Sequence, residues 1–139
     1  MGQSQTIQKI GFEDIQIAIK NPETYLLINT LPENMQNCLI YSTVPIVQEE
    51  DLINKLLTTN RSIKIIIYGK NNTDESIYNK RNQLLTLGFS NIYLYIGGLF
   101  EWLLLQDIFG TDVFHTTKKI NDILIYKPSS VFNVKMILN

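Results

Sequence analysis

The chain has 139 residues, 45% of them apolar, with 12 basic against 13 acidic side chains and a formal net charge of −1. That length is one domain's worth, able to bury roughly 70% of its unfolded surface without a disulfide or metal staple. Cys38 is the only cysteine, which excludes a disulfide within the chain. The balanced charge lacks the basic stripe of a nucleic-acid binder. No apolar run approaches the ~20 residues of a membrane helix, and the polar first ten residues lack the apolar region of a secretory signal. Together these point to an intracellular protein, in the cytoplasm or at the cytoplasmic face of a membrane. The 21 Ile, 14 Asn and 10 Lys against 2 Arg reflect the codon usage of an AT-rich genome, such as those of some protists and large DNA viruses. The scattered Asn residues therefore carry no low-complexity signal.

In chain order, Phe12, Ile15, Ile17 and Ile19 give a short helix over 12 to 20, ended by Asn21-Pro22. Tyr25 to Asn29 is a continuous apolar run, the pattern of a strand buried on both faces. The stretch 38 to 46 is β-rich and irregular, and is counted as a second strand. Glu49-Glu50-Asp51 ahead of Leu52, Ile53, Leu56 and Leu57 predicts a helix over 49 to 59, with acids at its N-terminus. Ser62 to Tyr68 is the strongest strand signal and reads as central.

After a polar loop from Gly69 to Thr73, Asn72 and Glu75 suggest a capping box opening a helix that runs to Gly88. Ile92 to Ile96 is a further strand, Gly97-Gly98 a tight exit, and Leu99 to Phe109 an apolar helix closed by Gly110. Strands alternating with helices through short connections imply a mostly parallel α/β sheet of about five strands, covered on both faces. Three parts follow: a polar segment over 1–9, a domain over 10–110 and an extension over 111–139.

The second half of this pattern resembles a rhodanese-like domain. The residues that carry the likeness are the buried strand ending in Tyr68, Leu87-Gly88-Phe89, Asn91-Ile92-Tyr93-Leu94, and Gly97-Gly98-Leu99-Phe100-Glu101-Trp102. The first half agrees more loosely. Leu27-Ile28-Asn29-Thr30-Leu31 stands where the family has Leu-Ile-Asp-Val-Arg, and Pro45 matches a family proline. The likeness spans about residues 8 to 110.

In that family a cysteine directly after the central strand carries a sulfane sulfur as a persulfide, aided by loop N–H groups and the next helix's positive end. The resemblance places Gly69 at that position and Asp74 at the family's loop arginine. It therefore implies a lost nucleophile and a vestigial loop of Gly69, Lys70, Asn71, Asn72, Thr73 and Asp74. Asn29 and Leu31 remove two further charges of the family pattern.

Each of these features also has a plain structural meaning. Gly69 suits a sharp turn, and Asp74 and Glu75 suit a helix N-terminus. The loop's N–H groups could still cradle a small anion or peptide. Cys38, on an apolar stretch with no cation beside it, reads as a buried inert thiol; the alternative is a relocated nucleophile. His115 is the only histidine, so neither a metal site nor a cofactor is expected.

Met1-Gly2-Gln3-Ser4-Gln5-Thr6 fits the N-myristoylation pattern at Gly2. A single acyl chain binds membranes only weakly, which suits a protein anchored further by a partner or by an assembly such as a virion. In the extension, Phe132, Val134, Met136 and Leu138 alternate with other residues and predict a strand with one apolar face. It docks either on its own domain or on a protein partner or second copy. The expected function is a non-catalytic rhodanese-like binding or structural module. The alternatives are a sulfurtransferase using Cys38 and an anion or peptide sensor using the Gly69–Asp74 loop.

Overall fold

A computed structural model describes residues 6–132. Gly2 and the alternating residues Val134, Met136 and Leu138 lie outside the described residues. Four parallel strands, β1 (Gln8–Ile10), β2 (Tyr25–Asn29), β3 (Lys64–Tyr68) and β4 (Ile92–Tyr95), form one sheet in the order β1-β4-β3-β2. Four helices connect or flank them: α1 (Phe12–Lys20), α2 (Ile46–Thr59), α3 (Ser76–Leu87) and α4 (Gly98–Phe109). This is the parallel α/β architecture expected, with four strands against the five or so predicted.

The period of a strand explains why β3 reads as unbroken hydrophobe. Ile66 and Tyr68 face a core shared with residues of α1 and α4, while Ile65 and Ile67 face a second core with residues of α2 and α3. Both faces are covered, so no polar alternation survives. The register Leu27↔Ile66↔Tyr93 carries the same two-sided division across the sheet.

Three expectations change. No strand forms over 38 to 46: the segment makes only isolated bridges, Leu27↔Thr43 and Ile40↔Thr116. Ser42 turns to a positive φ of 77°, and Pro45, which has no N–H, ends the stretch. Its β-branched residues are there because Ile40, Thr43 and Val44 are buried. Next, α2 begins at Ile46, three residues before the acids, with Pro45 as its N-cap at φ −59° and ψ 138°. Finally, β1 is a strand that the polar N-terminus did not announce. It pairs with β4 from Gln8↔Tyr93 to Ile10↔Tyr95.

Residues 111–126 pack over the α1 and α4 side of the sheet. Phe114 packs edge-to-face against Trp102, with centroids 5.0 Å apart, and at a tilt against Phe12 at 5.5 Å. The Trp102 indole N–H donates to the His115 carbonyl at 3.1 Å, and the Gln106 amide donates to the Phe114 carbonyl at 2.7 Å. A 3-10 turn at Ile123–Tyr126 brings Tyr126 to full burial. Among the described residues, no helix is long and apolar enough to cross a membrane.

Candidate functional site

Parallel α/β sheets place their sites outside the carboxyl ends of the strands, and here β3 ends in Tyr68 and runs directly into the loop 69–75 before α3. The loop is fastened from several directions. The first turn of α4 donates Leu99 N–H to the Gly69 carbonyl and Phe100 N–H to the Lys70 carbonyl, both at 2.9 Å. Gly98 makes that approach possible: its φ is +68°, and a Cβ there would lie 2.8 Å from the Gly69 carbonyl oxygen. From the neighbouring strand end, Thr30 N–H donates to the Tyr68 carbonyl at 2.9 Å.

Inside the loop sits the Asp74 carboxylate. Its Oδ2 accepts from Lys70 N–H at 2.8 Å, and its Oδ1 accepts from Ser76 N–H at 3.0 Å and from the Ser76 hydroxyl at 2.6 Å. Ser76 Oγ lies 2.7 Å from Thr30 Oγ1. Burial works against the charged carboxylate, but the Ser76 hydroxyl, the N–H groups of Lys70 and Ser76, and the Lys70 ammonium outweigh it. They hold Asp74 below the usual aspartate value. The predicted Asn72–Glu75 capping box does not form. Glu75 is the residue before α3 and makes no side-chain cap. Asp74 bonds Ser76 instead, and Asn71 Oδ1 takes Thr73 N–H at 2.9 Å and the Thr73 hydroxyl at 2.7 Å.

Gly69 and Asp74 fit each other. A Cβ on Gly69 would press on the Asp74 carboxylate, with its Cγ 2.9 Å away and Thr30 Oγ1 at 3.0 Å. The loop opens onto a cleft of about 360 Å³, lined by Lys70 and Thr73 of the loop and by Lys127 and Ser129 of the extension. Thr30, Ser76, Lys127 and Ser129 were not predicted as part of this site. Asp-x-Ser at 74–76 is a local signal for the second. Thr30 could be found only by knowing that β2 and β3 are neighbours, and Lys127 and Ser129 only by knowing where the extension runs.

The other predicted residues fall elsewhere. Asn29 is buried and saturated: its Oδ1 accepts from Leu31 N–H at 2.9 Å and from the Gln36 amide at 2.7 Å. Leu31 belongs to the apolar core. Cys38 is fully buried, and its thiol donates to the Lys118 carbonyl at 3.2 Å. Burial pushes its pKa up against the lowering effect of hydrogen bonds with Thr116 and Lys118. His115 is exposed, edge-on to Tyr41 at 4.5 Å. Among the described residues, no three His, Cys, Asp or Glu side chains gather as a metal site would require.

Comparison with known proteins agrees with this architecture. A model of the rhodanese-like domain matches residues 32–105, more than half of the chain. The structure is similar to an As-Sb reductase from Leishmania major, at a TM-score of 0.61 and 13% identity, covering 96% of this chain and 99% of that one. It is similar to a rhodanese-like domain from Anabaena, at 0.54 and 19% identity, covering 91% and 88%. It is also similar to the single-domain sulfurtransferase RDL2 from Saccharomyces cerevisiae, at 0.54 and 15% identity, covering 80% and 98%. No curated protein matches.

Proposed function

The chain belongs to the rhodanese-like family, and from that premise we propose that it is a catalytically silent member that works as a binding or structural module. The observation that carries this reading is the Asp74 carboxylate seated inside the loop against Gly69. The family resemblance assigns the nucleophile to position 69, where this chain has no side chain and the Asp74 carboxylate fills the space one would take. The loop N–H of Lys70, of the kind that would steady an anionic substrate, is already bonded to the chain's own carboxylate. The remaining thiol, Cys38, is buried with a raised pKa, the opposite of the exposed thiolate that sulfur transfer needs.

The rim of the cleft supports a binding role. Lys70 and Lys127 line the same cleft as a carboxylate whose oxygens already have partners, so an acidic peptide engages the ammonium groups without displacing Asp74. The exposed apolar residues Val131 and Phe132 at the end of the described extension support a protein partner or self-association. Acylation at Gly2 would add weak membrane contact, placing the module at a cytoplasmic membrane face or within an assembly.

The test is a thiosulfate-to-cyanide sulfurtransferase assay on the full chain, Cys38→Ser and Gly69→Cys. All three should match the blank, Gly69→Cys included, because a carboxylate beside the new thiol opposes the thiolate. Turnover by the wild-type chain that disappears in Cys38→Ser overturns the proposal. Dilute sulfate at constant ionic strength, too low to stabilise by general exclusion from the surface, should leave the melting temperature of the wild-type chain unchanged; a saturable rise would favour the anion-sensor alternative instead.

A further inference from the structure

Cys38 is shut in by one continuous piece of chain. Residues 114–118 run antiparallel to 38–41: Thr117 N–H donates to the Leu39 carbonyl at 2.8 Å, Leu39 N–H to the Thr117 hydroxyl at 3.0 Å, and Tyr41 N–H to the His115 carbonyl at 3.0 Å. The Cys38 thiol itself bonds within this segment, to the Lys118 carbonyl. Eight residues further on, the same piece reaches the loop, where the Asn71 side-chain amide donates to the Tyr126 carbonyl at 2.8 Å. Asn71 is 6% exposed although its neighbour Asn72 is open to solvent, so this amide is turned inward to hold the extension.

Tyr126 makes the connection more than a surface tie. Its ring is fully buried in the same core as Cys38 and Tyr68, and its hydroxyl has no hydrogen-bond partner among the described residues. A buried hydroxyl left unpaired costs free energy that opening would recover. The compartment around Cys38 thus combines a thiol, an orphan phenol and a cover held at one end by backbone and Thr117 hydroxyl bonds to residues 39–41 and at the other by the Asn71 amide. Between the buried Phe114 and Tyr126, residues 117–125 are exposed apart from the half-buried Ile120 and Ile123, so opening confined to this stretch costs less than unfolding the sheet beneath it.

We propose that residues 114–127 form a latch over Cys38, and that Asn71 ties the latch to the loop, so that the state of the loop governs access to the thiol. An occupant of the cleft that takes the Asn71 amide competes with the Tyr126 carbonyl and uncovers Cys38. Linkage makes the effect reciprocal: modification of Cys38 opens the loop. The proposal goes beyond the binding reading and holds whether or not the module is silent.

The rate at which 5,5′-dithiobis(2-nitrobenzoate) labels the full chain tests it, since one cysteine gives one signal. The native chain should react at least about 100-fold more slowly than the chain in guanidinium chloride, as local protection implies. Asn71→Ala and Thr117→Val, which cut the latch at opposite ends, should each label about fivefold faster, the factor one net hydrogen bond is worth. Thr117 is exposed, so its variant folds even if Asn71→Ala does not.

Ile77→Val, a mild destabilisation in the opposite core, should leave the rate unchanged. If the native chain labels as fast as the unfolded one, the latch does not exist. If all three variants speed labelling only in proportion to their loss of denaturant stability, the thiol is reached by global unfolding and the proposal is overturned. If Thr117→Val accelerates labelling and a folded Asn71→Ala does not, the loop does not govern the latch and the proposal fails.

Discussion

The Asp74 carboxylate occupies the space that a side chain on Gly69 would need, with Cγ 2.9 Å from where a Cβ would stand. Each residue is therefore the condition of the other. Gly69→Ala should lower the denaturant midpoint by the equivalent of about 1–3 kcal/mol, the usual cost of overpacking. Asp74→Gly in the same chain should relieve the clash, giving a double-mutant coupling of about 1 kcal/mol or more. Additive effects would show that the loop yields freely and that Asp74 does not exclude a side chain at position 69.

The same carboxylate sets a pH dependence. Asp74 sits below the usual aspartate value when folded, because burial is outweighed by the donors from Ser76 and Lys70. A depressed acid contributes stability that is present above the unfolded pKa and is lost as pH falls through the folded one. The wild-type chain should therefore exceed Asp74→Asn in stability at pH 7, with the gap constant down to about pH 5. It should narrow below pH 3.8 and close in stronger acid. Urea melts of both chains along that series decide it. A gap that persists undiminished at pH 2 would mean that shape, and not charge, is what Asp74 supplies.

Much of the architecture could be read from residues alone, because the signals were strong where burial was strong. Ser62 to Tyr68 announces β3, Gly88 with φ +123° ends α3 as a left-handed residue should, and Gly110 with φ +102° closes α4. The failures share a cause. Residues Gln8–Ile10 form β1 through backbone pairing with β4, which leaves no side-chain pattern to detect. Residues 38–46 look like a strand because they are apolar, yet they are apolar because they lie between the sheet and the extension. At the site, Asp74 and Glu75 read as acids at a helix start. That Asp74 turns back into the loop depends on its Lys70 bond, and that Tyr126 meets Asn71, 55 positions apart, is legible only in three dimensions.

Gly98 fixes the other side of the loop. Its φ of +68° and the 2.8 Å approach of the Gly69 carbonyl oxygen to any Cβ make Gly98→Ala unfavourable both for its backbone and for its space. The variant should lose about 2–4 kcal/mol, from strain at the left-handed position together with overpacking. Gly11→Ala has nothing within 4 Å of its Cβ and should stay within about 0.5 kcal/mol of wild type. Thermal melts of the pair measure the contrast. Equal effects would mean that the contact between the start of α4 and the loop contributes nothing to stability.

Tyr126→Phe separates the two roles of Tyr126. The carbonyl that receives the Asn71 amide is main chain and survives the substitution, whereas the hydroxyl, buried and unpartnered, is removed. Removing an unsatisfied buried group without leaving a new one is neutral or stabilising, by up to about 1 kcal/mol. Tyr126→Phe should accordingly match or exceed the wild-type melting temperature. Tyr126→Ala, which empties a fully buried ring site, should lose about 3–5 kcal/mol. If Tyr126→Phe instead loses more than about 1 kcal/mol, the hydroxyl has a partner in solution, a buried water being the simplest.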